Sequence, residues 1–565
     1  MDRRDFIRSG AFGAIGLALG STVPLLSPGA ALAASRLQRK TGKPFKFGVM
    51  ADTQWKANTD GLNPGTCAVG IINRLNAEFV KHEVKFVVQV GDLVDKEDDA
   101  TNGHAGLRTM PVRANASQAL YDAGIGFYPL RGNHEASVTA ANEFARLYPQ
   151  SRGLGKNVFG ADEFSSPFAS LDGLSYSFDF ENVRLVLLDQ FVRADGTGFN
   201  NAVTTNVDNN IVDQQEWTDE RLSSRRHGDH AFTFAHKNLV GQNHVDTLFG
   251  PNPSANQAAR NGYIGSMQAN GVRYTLGGHD HMHHRSIITS PDHAASVKQL
   301  ICASNSYKFY IPQGVANEPT LEKVVAQELY SIGYYIFTVD GPRVTVEHFA
   351  SSHGQDYGDL DLTITPANTA FFRRETWGYS LNGREFVVPQ GGSYTQVHDN
   401  FEGTAAAILG GVNQDTQTDP ALRAVVKTVN TGWSHPSHRD DDLVSHVLTL
   451  WGLSTNLVVW DSSLSGELPN ADRTSQADTY ALAMSYDGPS VKGLPFANGR
   501  LGIASRGVDG HWINAVDRNF GGTKDFVVGA WNPGYGLGTY GVDPSTRTAW
   551  AVVNYDGDFA VARGL

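Results

Sequence analysis

The sequence predicts an α/β (α+β) fold: layered sheets built from βαβ units, followed by a mainly β C-terminal domain. Three observations carry this expectation. From Phe45 onward, short β-runs alternate with segments whose apolar residues recur every three or four positions, the pattern of strands joined by amphipathic helices. The β-runs end repeatedly on a polar residue, and in such sheets ligands gather beyond the carboxyl ends of the strands. After about Asp356 the helical period fades, and strand-like runs alternate with Gly, Asn and Asp turns. At 565 residues the chain is also too long for one ordinary hydrophobic core, so two or more domains are expected.

Taken in order, strands are predicted over 45–50 before Asp52, 85–90 before Asp92 and 126–130 before Asn133, with helices over 69–82 and 113–122. Polar stretches at 99–106 and 197–210 read as surface insertions. Further strands are predicted over 174–180, 183–189, 230–236, 272–276, 285–289, 299–303, 334–339 and 343–349. These bound a first domain over 45–355. Residues 357–565 read as a separate β domain, a sandwich, with strands over 456–460, 480–486, 512–515 and 549–555. Most of the nine tryptophans lie there. They suit a carbohydrate-binding surface or, more commonly for aromatic residues at strand positions, a core.

The formal net charge of −12 argues against a broad surface for nucleic acid or an anionic membrane. Only Cys67 and Cys302 are present, which excludes a disulfide framework and any multi-cysteine metal site and leaves one bridge possible. The N-terminus, with Arg3 and Arg4 before Phe6-Ile7, a small and apolar stretch at 10–26 and Ala31-Leu32-Ala33 before Ala34, resembles a twin-arginine export signal over residues 1–34. That resemblance implies export machinery as a partner and a periplasmic or secreted location. No stable membrane span is expected after processing, because the apolar stretch is short of the roughly 20 residues a spanning helix needs.

The chemistry is carried by an ordered set: Asp52 in Ala-Asp-Thr-Gln, Gly91-Asp92-Leu-Val-Asp95, Gly132-Asn133-His134-Glu135, His236 in Phe-Ala-His-Lys, and Gly278-His279-Asp-His281. Each alone is weak, since an Asp at a strand end is commonly a cap or turn residue. Together they resemble the calcineurin-like metallophosphoesterase family over about residues 45–350. Oxygen and imidazole ligands select borderline or hard divalent ions, so two of Zn, Fe, Mn or Co are expected. Two such ions roughly 3.5–4 Å apart polarise a phosphoryl oxygen and acidify water.

The resemblance implies hydrolysis of a phosphate-ester substrate by attack of a metal-bound hydroxide. It makes Asp92 the bridge between the ions, puts Asp52 and His281 on one ion, where Gln54 is a further candidate ligand, direct or through water, and puts Asn133, His236 and His279 on the other. His134 would stabilise the transition state and protonate the leaving oxygen, with Asp95 orienting its ring; the alternative for Asp95 is a helix N-terminal residue. Arg131 stands equally as a phosphate contact or not. Where the family usually carries Asp-x-His, this chain has Asp52-Thr53-Gln54, which puts the first metal in doubt more than the reaction. His244, His283 and His284 are expected to be structural or surface residues. A phosphodiesterase acting on nucleotide or lipid head-group diesters is the closer alternative, and a non-catalytic surface binding protein the remoter one.

Overall fold

Strand β1 (Phe45–Met50) sets the layering. Phe45, Phe47 and Val49 face one side and join a core between two sheets, while Met50 faces the other and packs with helix α1 (Val69–Lys81). The computed structural model describes residues 43–565 apart from 56–66, 96–108, 192–209, 251–255, 307–308, 314–320, 330, 352–370, 382, 390, 396–397, 414–426, 438–441, 454–477, 494–495 and 508. The expected export signal with Arg3 and Arg4, the polar stretch 99–106, nearly all of 197–210 and the strand expected at 456–460 lie outside the described residues.

After α1 come β2 (Phe86–Val90), α2 (Met110–Ala116), α3 (Gln118–Asp122), β3 (Gly126–Leu130) and α4 (Val138–Leu147). The helix expected over 113–122 is thus two short helices meeting at Ser117. The second layer runs through β4 (Asp162–Ser165), β5 (Tyr176–Phe180), β6 (Val183–Leu188), α5 (Asn210–Asp213), α6 (Gln215–Ser223), β7 (His230–Ala235), α7 (Gln257–Ala269), β8 (Tyr274–Gly277), β9 (His283–Thr289), β10 (Ser296–Ile301) and β11 (Glu322–Glu328). The chain then returns to the first layer with β12 (Gly333–Asp340), β13 (Arg343–Ser351) and β14 (Phe371–Ser380).

Two mixed sheets result, ordered β14-β13-β12-β1-β2-β3 and β11-β9-β10-β8-β7-β6-β5-β4. Phe47, Phe86, Phe232 and Phe337 interlock between them, with Phe47 stacked 5.0 Å from Phe86 and 4.7 Å from Phe337. Helices cover the outer faces. Ile72, Leu75 and Phe79 of α1 pack on the first sheet, and Leu222 of α6 with Ile264 and Met267 of α7 on the second. This is the metallophosphoesterase fold, in four layers. Parallel pairing aligns the carboxyl ends of β1, β2 and β3 in one sheet and of β6, β7 and β8 in the other.

The boundary expected at 355–357 falls just after β13, and the next described strand, β14, still pairs with β13 across its length. Beyond it lie β15 (Glu385–Val388), β16 (His398–Phe401), β17 (Thr404–Leu409), β18 (Lys427–Ser434), β19 (Val447–Trp451), β20 (Tyr480–Ser485), β21 (Leu501–Arg506), β22 (Trp512–Asn514), β23 (Asp525–Val528), β24 (Thr539–Asp543), β25 (Thr548–Val553) and β26 (Gly557–Arg563). They form two sheets, β15-β18-β19-β26-β21-β22 and β16-β17-β20-β25-β24-β23, antiparallel except for the pair β23–β24. Val429, Leu448, Ile503 and Val561 of the first meet Ile408, Leu482, Ala551 and Val553 of the second, so the region is a β-sandwich. Trp433, Trp451 and Trp550 are buried, which makes them core rather than a binding surface. Trp451 also seats this sandwich on the first sheet, its indole N–H donating to Thr345 Oγ1 at 3.2 Å.

Cys67 and Cys302 are both buried and free. Among the described residues no helix is long and apolar enough to cross a membrane.

Candidate metal centre

Each predicted ligand follows a strand end, and the two sheets deliver their ends to the same place. Asp52 follows β1, Asp92 follows β2 and Asn133 follows β3; His236 follows β7, and His279 and His281 follow β8. Hydrogen bonds tie the two sets together. The His236 ring places Nδ1 3.0 Å from the Val90 carbonyl at the end of β2, and the His279 backbone N–H donates to Asp52 Oδ1 at 3.1 Å.

The ligand atoms sort into two groups that share one residue. Asp92, His236 and His279 can each bring a ligand atom within 4.8 Å of the others, and so can Asp52, Asp92 and His281. Asp92 belongs to both. In the first group Asn133 Oδ1 and Asp92 Oδ1 lie 3.0 and 3.2 Å from His236 Nε2. In the second, His281 Nε2 is 3.4 Å from Asp52 Oδ1, and Gln54 Nε2 donates to Asp92 Oδ2 at 3.0 Å.

The backbone is bent to achieve this. Asp52, Asp92, His279 and His281 all adopt left-handed conformations, with φ of 51°, 45°, 71° and 50°. For non-glycine residues this costs on the order of 1–3 kcal/mol each and persists only where surrounding structure enforces it. Part of that structure is glycine. A Cβ on Gly132 would stand 2.0 Å from Asp92 Oδ1, and one on Gly91, itself at φ +80°, would stand 2.2 Å from His236 Nδ1. The Gly-Asp and Gly-Asn-His motifs therefore need glycine for close approach to the ligands themselves.

Several buried groups here are in positions that suit cations. Asp52 Oδ2 and Gln54 Oε1 are buried without a hydrogen-bond partner, an expensive arrangement for a carboxylate unless a positive charge faces it. Burial holds the Asp52 carboxyl well above the usual carboxylate range. Burial would lower His236, but the Asp92 charge overrides it and lifts the imidazole to about 9, so a proton settles where positive charge is wanted. With Nδ1 facing a carbonyl, Nε2 of His236 is the nitrogen left for a metal. Gln54 fits as well: turning its amide over places Oε1 beside Asp92 Oδ2 and His281 Nε2, the positions its Nε2 now faces at 3.0 and 3.2 Å. The donor set of carboxylates, amide oxygens and imidazoles suits two borderline divalent ions.

His134 borders this group. Its backbone N–H donates to Asp92 Oδ1 at 3.1 Å, and its Nε2 lies 3.7 Å from Asp92 Oδ2. The contact that orients the ring differs from the expectation. Nδ1 lies 2.6 Å from the backbone carbonyl of Asp95 and 3.5 Å from its carboxylate, so the main chain is the closer partner. Arg131 is not a phosphate contact. It is fully buried, and its guanidinium makes a two-pronged pair with Asp189 while donating to the Glu135 carbonyl. Glu135 braces the loop by accepting from Val94 and Gly132 N–H groups; burial and the nearby Asp92 push its carboxyl to about 8.

Three supporting residues, Asp246, Ser304 and Asp280, escaped the sequence reading. Asp246 Oδ1 lies 3.2 Å from His279 Nε2 while its other oxygen pairs with Lys237 Nζ at 2.6 Å, which leaves His279 Nδ1 for a ligand role. Burial would raise the Asp246 carboxyl, but His279 and Lys237 together hold it well below the usual range. Ser304 Oγ stands 3.3 Å from His281 Nδ1. Asp280, inside the Gly-His-Asp-His motif, accepts N–H groups of Gln242, Asn243 and His244 and so pins that loop. His244 is not remote. Its ring stacks 4.1 Å from His279 and meets Tyr310 edge-on at 4.9 Å. His283 and His284 are structural: His283 bonds Tyr335 and Glu375, and His284 bonds Gln327 and Glu322.

Residues 45–283, which hold all of these candidate ligands, match the family described as calcineurin-like phosphoesterase. That stretch of the chain is similar to a calcineurin-like phosphoesterase domain. None of the curated protein sequences matches the chain. Among solved structures, the chain is similar to a purple acid phosphatase from yellow lupin (Lupinus luteus) seeds, at 12% identity and a TM-score of 0.37, over 60% of this chain and 54% of that one. It is also similar to a dimetal phosphatase from Danio rerio, at 13% identity and a TM-score of 0.34, over 54% of this chain and 95% of that one. The chain thus spans about half the length of the lupin protein it resembles.

Proposed function

We propose that this protein is an exported phosphoesterase that uses two divalent ions to hydrolyse phosphate esters in the periplasm or outside the cell. The observation that carries the reading is the double membership of Asp92. One carboxylate that belongs to two buried ligand groups is the means of holding two like charges close together. Asp52, Gln54 and His281 would share one ion with it, and Asn133, His236 and His279 the other. When bound, the ions supply Lewis acidity toward phosphoryl oxygens and lower the pKa of the attacking water.

The chain's own groups supply the rest. Val90, Asp246 and Ser304 orient the three imidazoles, and buried Arg131 and Glu135 keep the Asn133-His134 turn in place. His134, held through Nδ1, presents Nε2 beside Asp92, where it can neutralise charge on phosphate and protonate the departing oxygen. Export rests on the paired Arg3 and Arg4 before an apolar stretch and Ala31-Leu32-Ala33.

The test is a hydrolysis screen of the purified protein over phosphomonoesters, diesters and pyrophosphates, after chelation and after return of Zn, Fe, Mn or Co. Activity should vanish on chelation and return with metal, and Asp92→Asn should lose both ions and most turnover. Chelation-resistant hydrolysis, or two full metal equivalents with unaltered turnover in Asp92→Asn, would overturn the reading. Relative rates on mono- and bis-aryl phosphates decide between monoesterase and diesterase.

A further inference from the structure

A second convergence of ligand-type side chains lies outside the phosphoesterase motifs, in the C-terminal sandwich. Glu402 occupies the turn between β16 and β17; His435 follows β18 directly, and His446 precedes β19. A ligand atom from each lies within 4.8 Å of the others. Glu402 Oε2 faces His435 Nε2 at 3.1 Å and His446 Nε2 at 3.7 Å. The imidazoles stand nearly perpendicular, 83° apart with centroids 4.8 Å from each other, and both rest against the Phe401 ring, at 5.5 and 5.2 Å.

We propose that Glu402, His435 and His446 bind a transition-metal ion of the zinc class, clamping the two sheets of the sandwich together. Two imidazoles and one carboxylate are three ligands of a tetrahedral zinc site, with water free to take the fourth position. Imidazole donors disfavour Ca and Mg. One of the rings already has the outer partner that metal-binding histidines need: His446 Nδ1 lies 2.9 Å from Thr404 Oγ1, which leaves Nε2 facing the carboxylate. An ordinary surface ion pair accounts for one histidine on Glu402. It does not account for a second imidazole turned toward the same oxygen, since exposed pairs contribute little and demand no third partner.

The topology gives the site a consequence. β16 and β17 belong to one sheet, and β18 and β19 to the other, so a bound ion links the hairpin turn of one layer to strand ends of its partner. An ion that binds only this folded arrangement stabilises it in proportion to the logarithm of its concentration over Kd.

The experiment uses the full-length protein, stripped of metal, reloaded with zinc alone, desalted and analysed for bound zinc and thermal unfolding. The wild type should retain one more zinc equivalent than Glu402→Gln or the His435→Gln/His446→Gln double variant. Both variants should keep wild-type hydrolysis, because none of these residues belongs to the phosphoesterase centre. Thr404→Val should weaken zinc binding at this site by about 10–100-fold, as loss of an outer partner typically does. Zinc should also raise the unfolding temperature of the wild type more than that of Glu402→Gln. Glu402→Gln is conservative and solvent-facing, so it reports even where the double variant fails to fold. Equal zinc content and an equal zinc-induced shift in wild type and Glu402→Gln would overturn the proposal and leave a histidine-carboxylate ion pair only.

Discussion

The two ring nitrogens of His134 have different neighbours, and that difference sets what the residue can do. A carbonyl accepts but never donates, so Nδ1, 2.6 Å from the Asp95 carbonyl, must carry a proton. In the proposed reaction Nε2 is then the nitrogen free to exchange a proton with a substrate. General acid catalysis typically supplies roughly 10² to 10⁴ in rate and matters most for a strongly basic leaving group. His134→Ala should therefore keep both metals, lose activity of that order on alkyl phosphates and lose less on nitrophenyl phosphate. Turnover plotted against leaving-group pKa checks this: parallel slopes for wild type and variant would leave His134 an electrostatic role alone. Asp246 acts one step further out, through His279. Asp246→Asn should lower metal affinity by about 10–100-fold without abolishing folding, measured by competition with a chelator. An unchanged titration would mean that His279 does not depend on the carboxylate for its orientation.

The strands place the ligands, but the turns after them aim the side chains. Asp92 and His236 come from different sheets, and both approach glycine backbone more closely than any Cβ permits. Gly132→Ala puts a methyl group 2.0 Å from Asp92 Oδ1 and 2.8 Å from its carboxyl carbon, so the carboxylate has to move. Misplacing a reacting group by about an ångström can cost 10² in rate, and here the displaced group is the carboxylate proposed to be shared by two ions. The variant should lose metal from both sites and at least about 10² in turnover. Gly262→Ala, on α7 with open space around its Cβ, is the control and should behave as wild type. Full metal content and activity in Gly132→Ala would show that the turn can yield.

The layers of the molecule are joined by buried polar contacts as well as by the aromatic core. His230, at the start of β7, reaches from the second sheet to the first, bonding Gly341 through Nε2 and Tyr379 through Nδ1. Burial depresses its imidazole from 6.5 to about 4. The unfolded chain therefore takes up this proton first as pH falls. Stability is insensitive to His230 above about pH 6.5, declines between 6.5 and 4, and levels off below; the total is about 3 kcal/mol. His230→Gln, which removes the titration, should flatten the pH dependence of unfolding by about one proton across that window. Denaturant unfolding of both proteins from pH 4 to 7 measures it, and identical slopes would assign the acid sensitivity to other groups.

The candidate site was legible where its residues lie in short motifs directly after a strand. Asp52, Asp92, Asn133, His236, His279 and His281 all stand there, because a β-run and the polar residue ending it are neighbours in the chain, and parallel pairing brings such ends together. The alternation of strand and helix before residue 350, and its loss afterward, likewise follow from local periodicity, which is a property of consecutive residues. Other features came only with the packed molecule. Asp246 was invisible because it comes from a loop well away from the His279 motif, and nothing local marks it as a partner. Arg131 stands equally as a phosphate contact or not in the sequence, and only the fold brings Asp189, just after β6, to occupy it. The Asp95 carboxylate gave way to its own carbonyl because backbone direction in a turn is not written in residue type. Strand β14 joined the first sheet by pairing with β13, a contact that spacing alone does not announce. Glu402, His435 and His446 met for the same reason: their closeness is created by the stacking of two sheets, and the distance across a stacked interface has no counterpart in the order of residues along the chain.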